Sequence, residues 1–216
     1  MTYEDDVIKV PVAALSAPDA DQLQRALLKG TVQVNVVLDV ISHGEAISGN
    51  VIAEIPGETD EIVLIGGHLD SWDLGTGAID DGAGIGITVG AAKLILDLNK
   101  TPRRTIRIVM FGSEEVGLIG AKAYAKKYRD RLDKHIVGAE SDFGAGRIWK
   151  FDTNFAEEKL FLAEAMHKVL EPLGIGRGDN NASGGPDIGP LRELGVPAVT
   201  LKQNGWDYFD YHHTAD

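Results

Sequence analysis

The sequence contains no cysteine, which removes disulfides, thiolate metal sites and cysteine nucleophiles together. A metal bound by this chain must therefore be held by His, Asp and Glu. Basic residues are outnumbered, 21 Lys and Arg against 33 Asp and Glu, and the formal net charge of −12 disfavours nucleic acid and anionic membrane as partners. Carboxylates gathered around divalent cations would neutralise part of that charge, and a solvated acidic surface accounts for the rest. No apolar run reaches the length of a membrane span. The N-terminus lacks a basic segment followed by a hydrophobic core, so no signal peptide is expected within the chain. Internal repeats, heptads and low-complexity tracts are missing as well. What is present is a globular composition, 216 residues with 44% hydrophobic and 25% charged, sufficient for one sizeable core.

Strand-like and helix-like segments alternate. Val7 to Leu15 reads as a short edge strand containing Pro11, and Ser16 is suited to cap a helix that runs to Leu28 and stops at Gly30. Thr31 to Ile41 alternates as a strand, with Asn50 to Ile55 as its hairpin partner across turn residues that include His43. Further strands are expected at Ile62 to Gly67, Thr105 to Met110, His135 to Ala139, Arg147 to Phe151 and Val196 to Leu201. Helices are expected over Asp81 to Leu98, Val116 to Leu132, Phe155 to Leu173 and Asp187 to Leu194. The first of these would turn Ile87, Ala91, Leu94, Ile95 and Leu98 inward, and the third Leu162, Met166, Val169, Leu170 and Leu173. Gly82, Gly84, Gly86 and Gly90 weaken the Asp81 helix and suggest a close backbone approach. The segment Gly174 to Gly185 is a loop by composition. This order predicts an α/β fold with three layers, α/β/α.

Chemistry gathers at the strand ends. In open α/β sheets the ligand crevice lies beyond the carboxyl ends of the strands. His68, Asp70 and Asp73 follow one strand, Glu114 and Glu115 another, Asp142 a third, while Asp80 and Asp81 open a helix and His212 and His213 come last. Carboxylates beside apolar strand ends need partners, because an isolated buried carboxylate is costly. A pair of cations would satisfy several. Oxygen and imidazole donors without sulfur suit Zn²⁺, with Mn²⁺ or Co²⁺ also compatible. One shared carboxylate would hold two ions roughly 3.5 to 4 Å apart. Of Glu114 and Glu115, one can bind metal while the other accepts a proton from water; composition does not say which. Each acidic residue taken alone has a plainer reading as a cap or turn former, and Asp80 before an apolar helix is a good cap candidate.

The segments GGHLDSWDLGTGAIDDGAG, MFGSEEVGLIGAKAY, AESDFG and YFDYHHTAD together resemble the co-catalytic dizinc aminopeptidase family, in particular its branch similar to plasma glutamate carboxypeptidase. The resemblance covers the chain from about Asn50 onward. It implies a mostly parallel mixed central sheet of the zinc-exopeptidase kind. It further implies that His68 and Asp142 complete one zinc site, Glu115 and His213 the other, and that Asp80 bridges them. Glu114 is then the general base and Asp70 orients the His68 imidazole, leaving Asp81 and His212 as neighbours. The implied activity is hydrolysis of dipeptides, or of the N-terminal residues of short peptides, by a metal-bound water. Gly184 to Ile188 matches a segment near the substrate pocket. The resemblance suggests a secreted, periplasmic or lysosomal protein. It also gives residues 1–30 as the remnant of a junction with an upstream inserted domain and residues 31–216 as a catalytic domain truncated at both ends. Two rival expectations are a metal-binding structural or interaction domain with little turnover, and a glutaminyl-cyclase-like acyltransferase, which works with one zinc. Oligomeric state is not readable.

Overall fold

The computed structural model of the chain describes residues 10–39, 41 and 43–214, and these fall into two units that part between Ile47 and Ser48. The first contains one helix, α1 (Ala17–Leu27), started by Ser16, whose hydroxyl accepts the Asp19 N–H, with Pro18 in the first turn. The cap and the proline act as expected of a helix start. Residues 10–15 and 31–39 form no strand, which overturns both strand expectations there; residues 7–9 and 40 lie outside the described residues. Val34, Val36 and Val37 are exposed. A strand exists by pairing, and the segment expected to pair with Thr31 to Ile41 is paired elsewhere.

The second unit is built on a seven-stranded mixed sheet of order β1-β3-β2-β4-β7-β5-β6. The strands are β1 (Val51–Ile55), β2 (Thr59–His68), β3 (Arg104–Phe111), β4 (His135–Glu140), β5 (Ile148–Asn154), β6 (Gly176–Arg177) and β7 (Ala198–Gln203). Four of the six pairings are parallel, with β1 against β3 and β5 against β7 antiparallel. The expected mostly parallel α/β sheet is present, and β1 lies on β3 instead of forming a hairpin with the preceding segment.

Helices cover both faces. On one, Ile62, Leu64, Val109 and Phe111 pack with Ala121 and Tyr124 of α3 (Ile119–Lys127) and Leu191 of α5 (Gly189–Glu193). On the other, Ile55, Ile65 and Ile108 pack with Ala92 and Ile95 of α2 (Ala83–Asp97). The alternation of Leu64 with Ile65, and of Val109 with Ile108, is the period-two signature of central strands buried on both sides. The expected helix from Val116 breaks after Lys127 and resumes as a 3-10 turn, Arg129–Lys134, which still buries Leu132.

Two helix faces differ from expectation. In α2 the buried residues are Gly84, Thr88 and Ala92, whereas Leu94 is 70% and Leu98 67% exposed. The helix seats on β2 through its small residues: Thr88 donates its hydroxyl to the Gly66 carbonyl at 3.0 Å. A side chain at Gly84 would run into the Ser141 carbonyl. Steric room decides this face, which hydrophobic periodicity does not register. Likewise α4 (Leu160–Leu170) buries only Ala163, with Met166 and Leu170 half-buried and Leu162, Val169 and Leu173 exposed. The last helix among the described residues is α6 (Tyr208–Tyr211), a turn of helix that alternation of long segments did not reveal.

Candidate metal centre

Register carries the chemistry to one edge of the sheet. His68, the last residue of β2, lies opposite Phe111 in β3, so Glu114 and Glu115 follow immediately beyond. Gly66 lies opposite Glu140 in β4, and the Ser141 N–H donates to the Gly66 carbonyl at 3.1 Å, which brings Asp142 level with His68. His212 and His213 arrive from the turn after α6. All five residues expected as ligands converge, and three subsets each present ligand atoms within 4.8 Å of one another: His68, Asp80 and Glu115; His68, Asp81 and Asp142; Asp80, His212 and His213.

Asp80 stands at the centre. Its Oδ1 meets His68 Nε2 at 2.9 Å and its Oδ2 meets His213 Nε2 at 3.0 Å. His68 Nε2 also faces Asp142 Oδ1 at 3.6 Å, and His213 Nε2 faces Glu115 Oε2 at 3.0 Å. His212 reaches Asp80 Oδ2 at 3.2 Å. Trp72 stacks on His213, with ring centroids 5.0 Å apart. No sequence pattern pointed to Trp72; its place after the His68 strand was the available signal.

The capping role falls to Asp81, not Asp80. Asp81 accepts the Gly84 N–H through Oδ1 and the His68 N–H through Oδ2, both at 3.0 Å. With both Asp81 oxygens committed to backbone, Asp80 keeps its carboxylate for the centre. Asp70 acts on His68 in two ways. Its main-chain carbonyl lies 2.8 Å from Nδ1, while its carboxylate, 3.6 Å away, is beyond hydrogen-bond length and works as a nearby charge. That carboxylate instead accepts the N–H groups of Glu114 and Glu115, at 2.9 and 3.1 Å.

Protonation equilibria record the crowding of charge. Burial pushes His68 down, but Asp142, Asp70 and Asp80 outweigh it and raise its pKa well above the usual imidazole range. Burial pushes Glu114 up to about 7, helped by Asp142, Glu115 and Asp70 against the opposing His68. Glu115 is likewise raised to about 7 by burial and Asp80, and Asp81 to about 8 by burial and Asp142. Asp70 is held below its ordinary value: burial opposes this, and His68 with the Glu114 and Glu115 N–H groups prevails. Glu115 Oε1 is buried with no hydrogen-bond partner. Carboxylates pressed together, one oxygen of them orphaned, and neutralisable by a cation, fit a metal centre built of oxygen and imidazole donors.

Three clefts open onto this cluster. One of ≈ 220 Å³ includes Trp72, Asp80, Tyr211 and His213. A second, of ≈ 210 Å³, includes His68, Asp70 and Asp81. The third, of ≈ 250 Å³, runs from Glu140 and Asp142 past Ser183 and Thr200 to Lys202. Beneath the third lies Asp187, fully buried, whose N–H donates to Glu140 Oε2 at 2.8 Å.

The model of "Peptidase family M28" matches residues 50–216. The chain is 33% identical over 215 residues to Carboxypeptidase Q of Rattus norvegicus, covering 98% of this chain and 45% of the relative. The crystal structure of a Peptidase M28 precursor from Shewanella amazonensis SB2B shares 50% identity and superposes with a TM-score of 0.86, over 99% of this chain and 49% of that one. An aminopeptidase from Aneurinibacillus sp. strain AM-1 shares 26% identity with a TM-score of 0.57, over 77% of this chain and 41% of that one. The chain thus spans about half the length of the curated relative.

Proposed function

This chain belongs to peptidase family M28, and on that premise we propose that it is a dizinc metallo-exopeptidase acting on dipeptides or on the N-terminal residues of short peptides. The observation that carries the reading is the division of Asp80, one carboxylate oxygen toward His68 and the other toward His213. On this reading His68 and Asp142 hold one Zn²⁺, Glu115 and His213 the other, and Asp80 belongs to both; Mn²⁺ or Co²⁺ would suit the same donors. When bound, the ions polarise the scissile carbonyl and make water a stronger nucleophile at neutral pH.

The chain's own residues do the rest. Glu114 accepts a proton from the attacking water and returns it to the leaving amine. Asp70 fixes the geometry by holding the Glu114 and Glu115 backbone while its carbonyl and charge set the His68 ring. Surrounding carboxylates favour the substrate's free α-ammonium, which selects exopeptidase over endopeptidase chemistry.

Hydrolysis of a panel of dipeptides and aminoacyl amides, with and without added Zn²⁺, tests the reading. Zinc-dependent release of free amino acids supports it; no turnover on any member with metal bound would sink it and leave the metal-binding structural domain. A glutaminyl-cyclase-like acyltransferase needs only one ion, and the second donor set, Glu115 with His213 at 3.0 Å, weighs against that alternative.

A further inference from the structure

We propose that Trp72 is a positioning residue for His213, and that the loop carrying it is the seat on which this ligand of the metal centre is held. The proposal rests on the dizinc reading for what His213 binds, and on packing for how it is held.

The two imidazoles of the centre are set by different means. His68 ends a central strand, and its Nδ1 lies 2.8 Å from the Asp70 carbonyl, a usual outer partner of a ligand histidine. His213 follows a helix of four residues, Tyr208–Tyr211, and its side chain is 32% exposed. Its backbone stands at φ 61°, in the left-handed region that residues with a side chain seldom occupy. So short a helix is held in place by what packs against it, not by its own hydrogen bonds. The His213 ring lies nearly parallel to those of His212, at 3.6 Å and 23°, and of Trp72, at 5.0 Å and 15°. His212 belongs to the same turn of chain, whereas Trp72 comes from a remote loop.

Trp72 is itself well anchored. The loop after β2 is tied at both ends, where the Leu69 N–H donates to the Phe111 carbonyl and the Gly82 N–H to the Gly77 carbonyl, each at 2.7 Å. Inside it, the Gly75 N–H closes a turn on the Trp72 carbonyl at 3.0 Å. The same turn meets the residue after His213 directly: a Cβ at Gly75 would lie 2.8 Å from the Thr214 carbonyl. Only a residue without a side chain lets the two backbones approach this closely. Loop and His213 segment thus meet twice, through rings and through backbone. An indole also suits the task chemically, because an imidazole that faces a cation is electron-poor and the indole face is the strongest aromatic partner for such a ring.

Competitive zinc titration of the metal-stripped chain tests this without recourse to turnover. The parent is compared with His213→Ala, which marks the ion that His213 holds, and with Trp72→Leu, Trp72→Phe and Gly75→Ala. Trp72→Leu is expected to weaken the His213-dependent ion about tenfold, the upper end of what a ring pair contributes and the lower end of the loss on removing a ligand's outer partner. The ion that His213→Ala leaves in place keeps its parent affinity. Trp72→Phe, which retains a ring, recovers most of the loss. Gly75→Ala, which leaves Trp72 intact and crowds Thr214, reproduces it. In the Co²⁺-loaded chain, Trp72→Leu shifts the visible absorption that His213→Ala removes. Parallel weakening of both ions in a folded variant, or a Trp72→Leu chain that binds both like the parent, overturns the proposal while the dizinc reading stands. If Trp72→Leu does not fold, as its melting curve without metal would show, Gly75→Ala and Trp72→Phe decide by the same criterion. A parent with no His213-dependent ion overturns the dizinc reading, and the role of Trp72 with it.

Discussion

Asp70 accepts the backbone N–H of Glu114 at 2.9 Å, a hydrogen bond that ties the end of β2 to the end of β3. Its second oxygen takes the Glu115 N–H at 3.1 Å. Replacing the carboxylate by an amide in Asp70→Asn turns an NH₂ donor against one of those N–H groups. The expected result is a loss of about 10- to 100-fold in zinc affinity or turnover, read by competitive zinc titration beside kcat. Unchanged values for both would remove Asp70 from any positioning role.

Glu114 is a separate case, because its side chain is assigned to protons and not to metal. Glu114→Gln is expected to bind zinc like the parent and to lose about 10²- to 10⁴-fold in kcat. Elemental analysis of the variant alongside steady-state rates separates the two effects. Full activity in the variant would show that another group is the base.

The division of Asp80 between His68 and His213 predicts two zinc ions per chain, both weakened by Asp80→Ala. Stoichiometry from elemental analysis of the dialysed protein checks this. One ion per chain would favour the cyclase alternative, and none would remove both enzymatic readings.

Stability of the metal-stripped chain should fall as the solution becomes alkaline. Glu114 and Glu115 rise from 4.5 to about 7 on folding, and Asp81 from 3.8 to about 8. Raised carboxyl pKa values give a contribution that is present below the ordinary values and lost as pH passes through about 7 to 8. Asp70 and Asp80 are depressed, so their contribution is lost only on acidification below the ordinary carboxylate range. Melting scans with chelator should therefore show Tm decreasing between about pH 5 and about pH 8. Added zinc should restore more at the alkaline end, because its ligands must be deprotonated. A flat profile would mean that the acidic cluster relaxes apart without metal.

A methyl group at Gly84 would meet the Ser141 carbonyl and the Asp81 carboxylate. Gly84→Ala is accordingly expected to cost about 1 to 3 kcal/mol of stability by overpacking and to weaken zinc binding, since Ser141 adjoins Asp142. Denaturant midpoints together with zinc titration test this; a neutral effect on both would mean that α2 shifts freely away from β4.

Much of the centre was legible in the chain because its donors are short-range signals. His68, Glu114, Glu115 and Asp142 each sit at the end of an apolar strand-like run, and strand ends face the crevice whatever the details of packing. The resemblance of four motifs supplied the pairing of those residues into two sets. Other features depended on distances between remote segments. That Asp81 and not Asp80 caps α2 follows from where the Gly84 and His68 N–H groups lie. That α2 buries Gly84, Thr88 and Ala92 follows from how closely it approaches β2. Pairing of β1 with β3, absent from any local pattern, left residues 31–39 without the expected strand. By itself the sequence determined an α/β chain with oxygen and imidazole donors at its strand ends, because periodicity and residue chemistry are local. Only the tertiary structure decided that Asp80 divides its oxygens and that Trp72 stacks on His213, because both depend on how remote segments meet and on steric room, which no local pattern encodes.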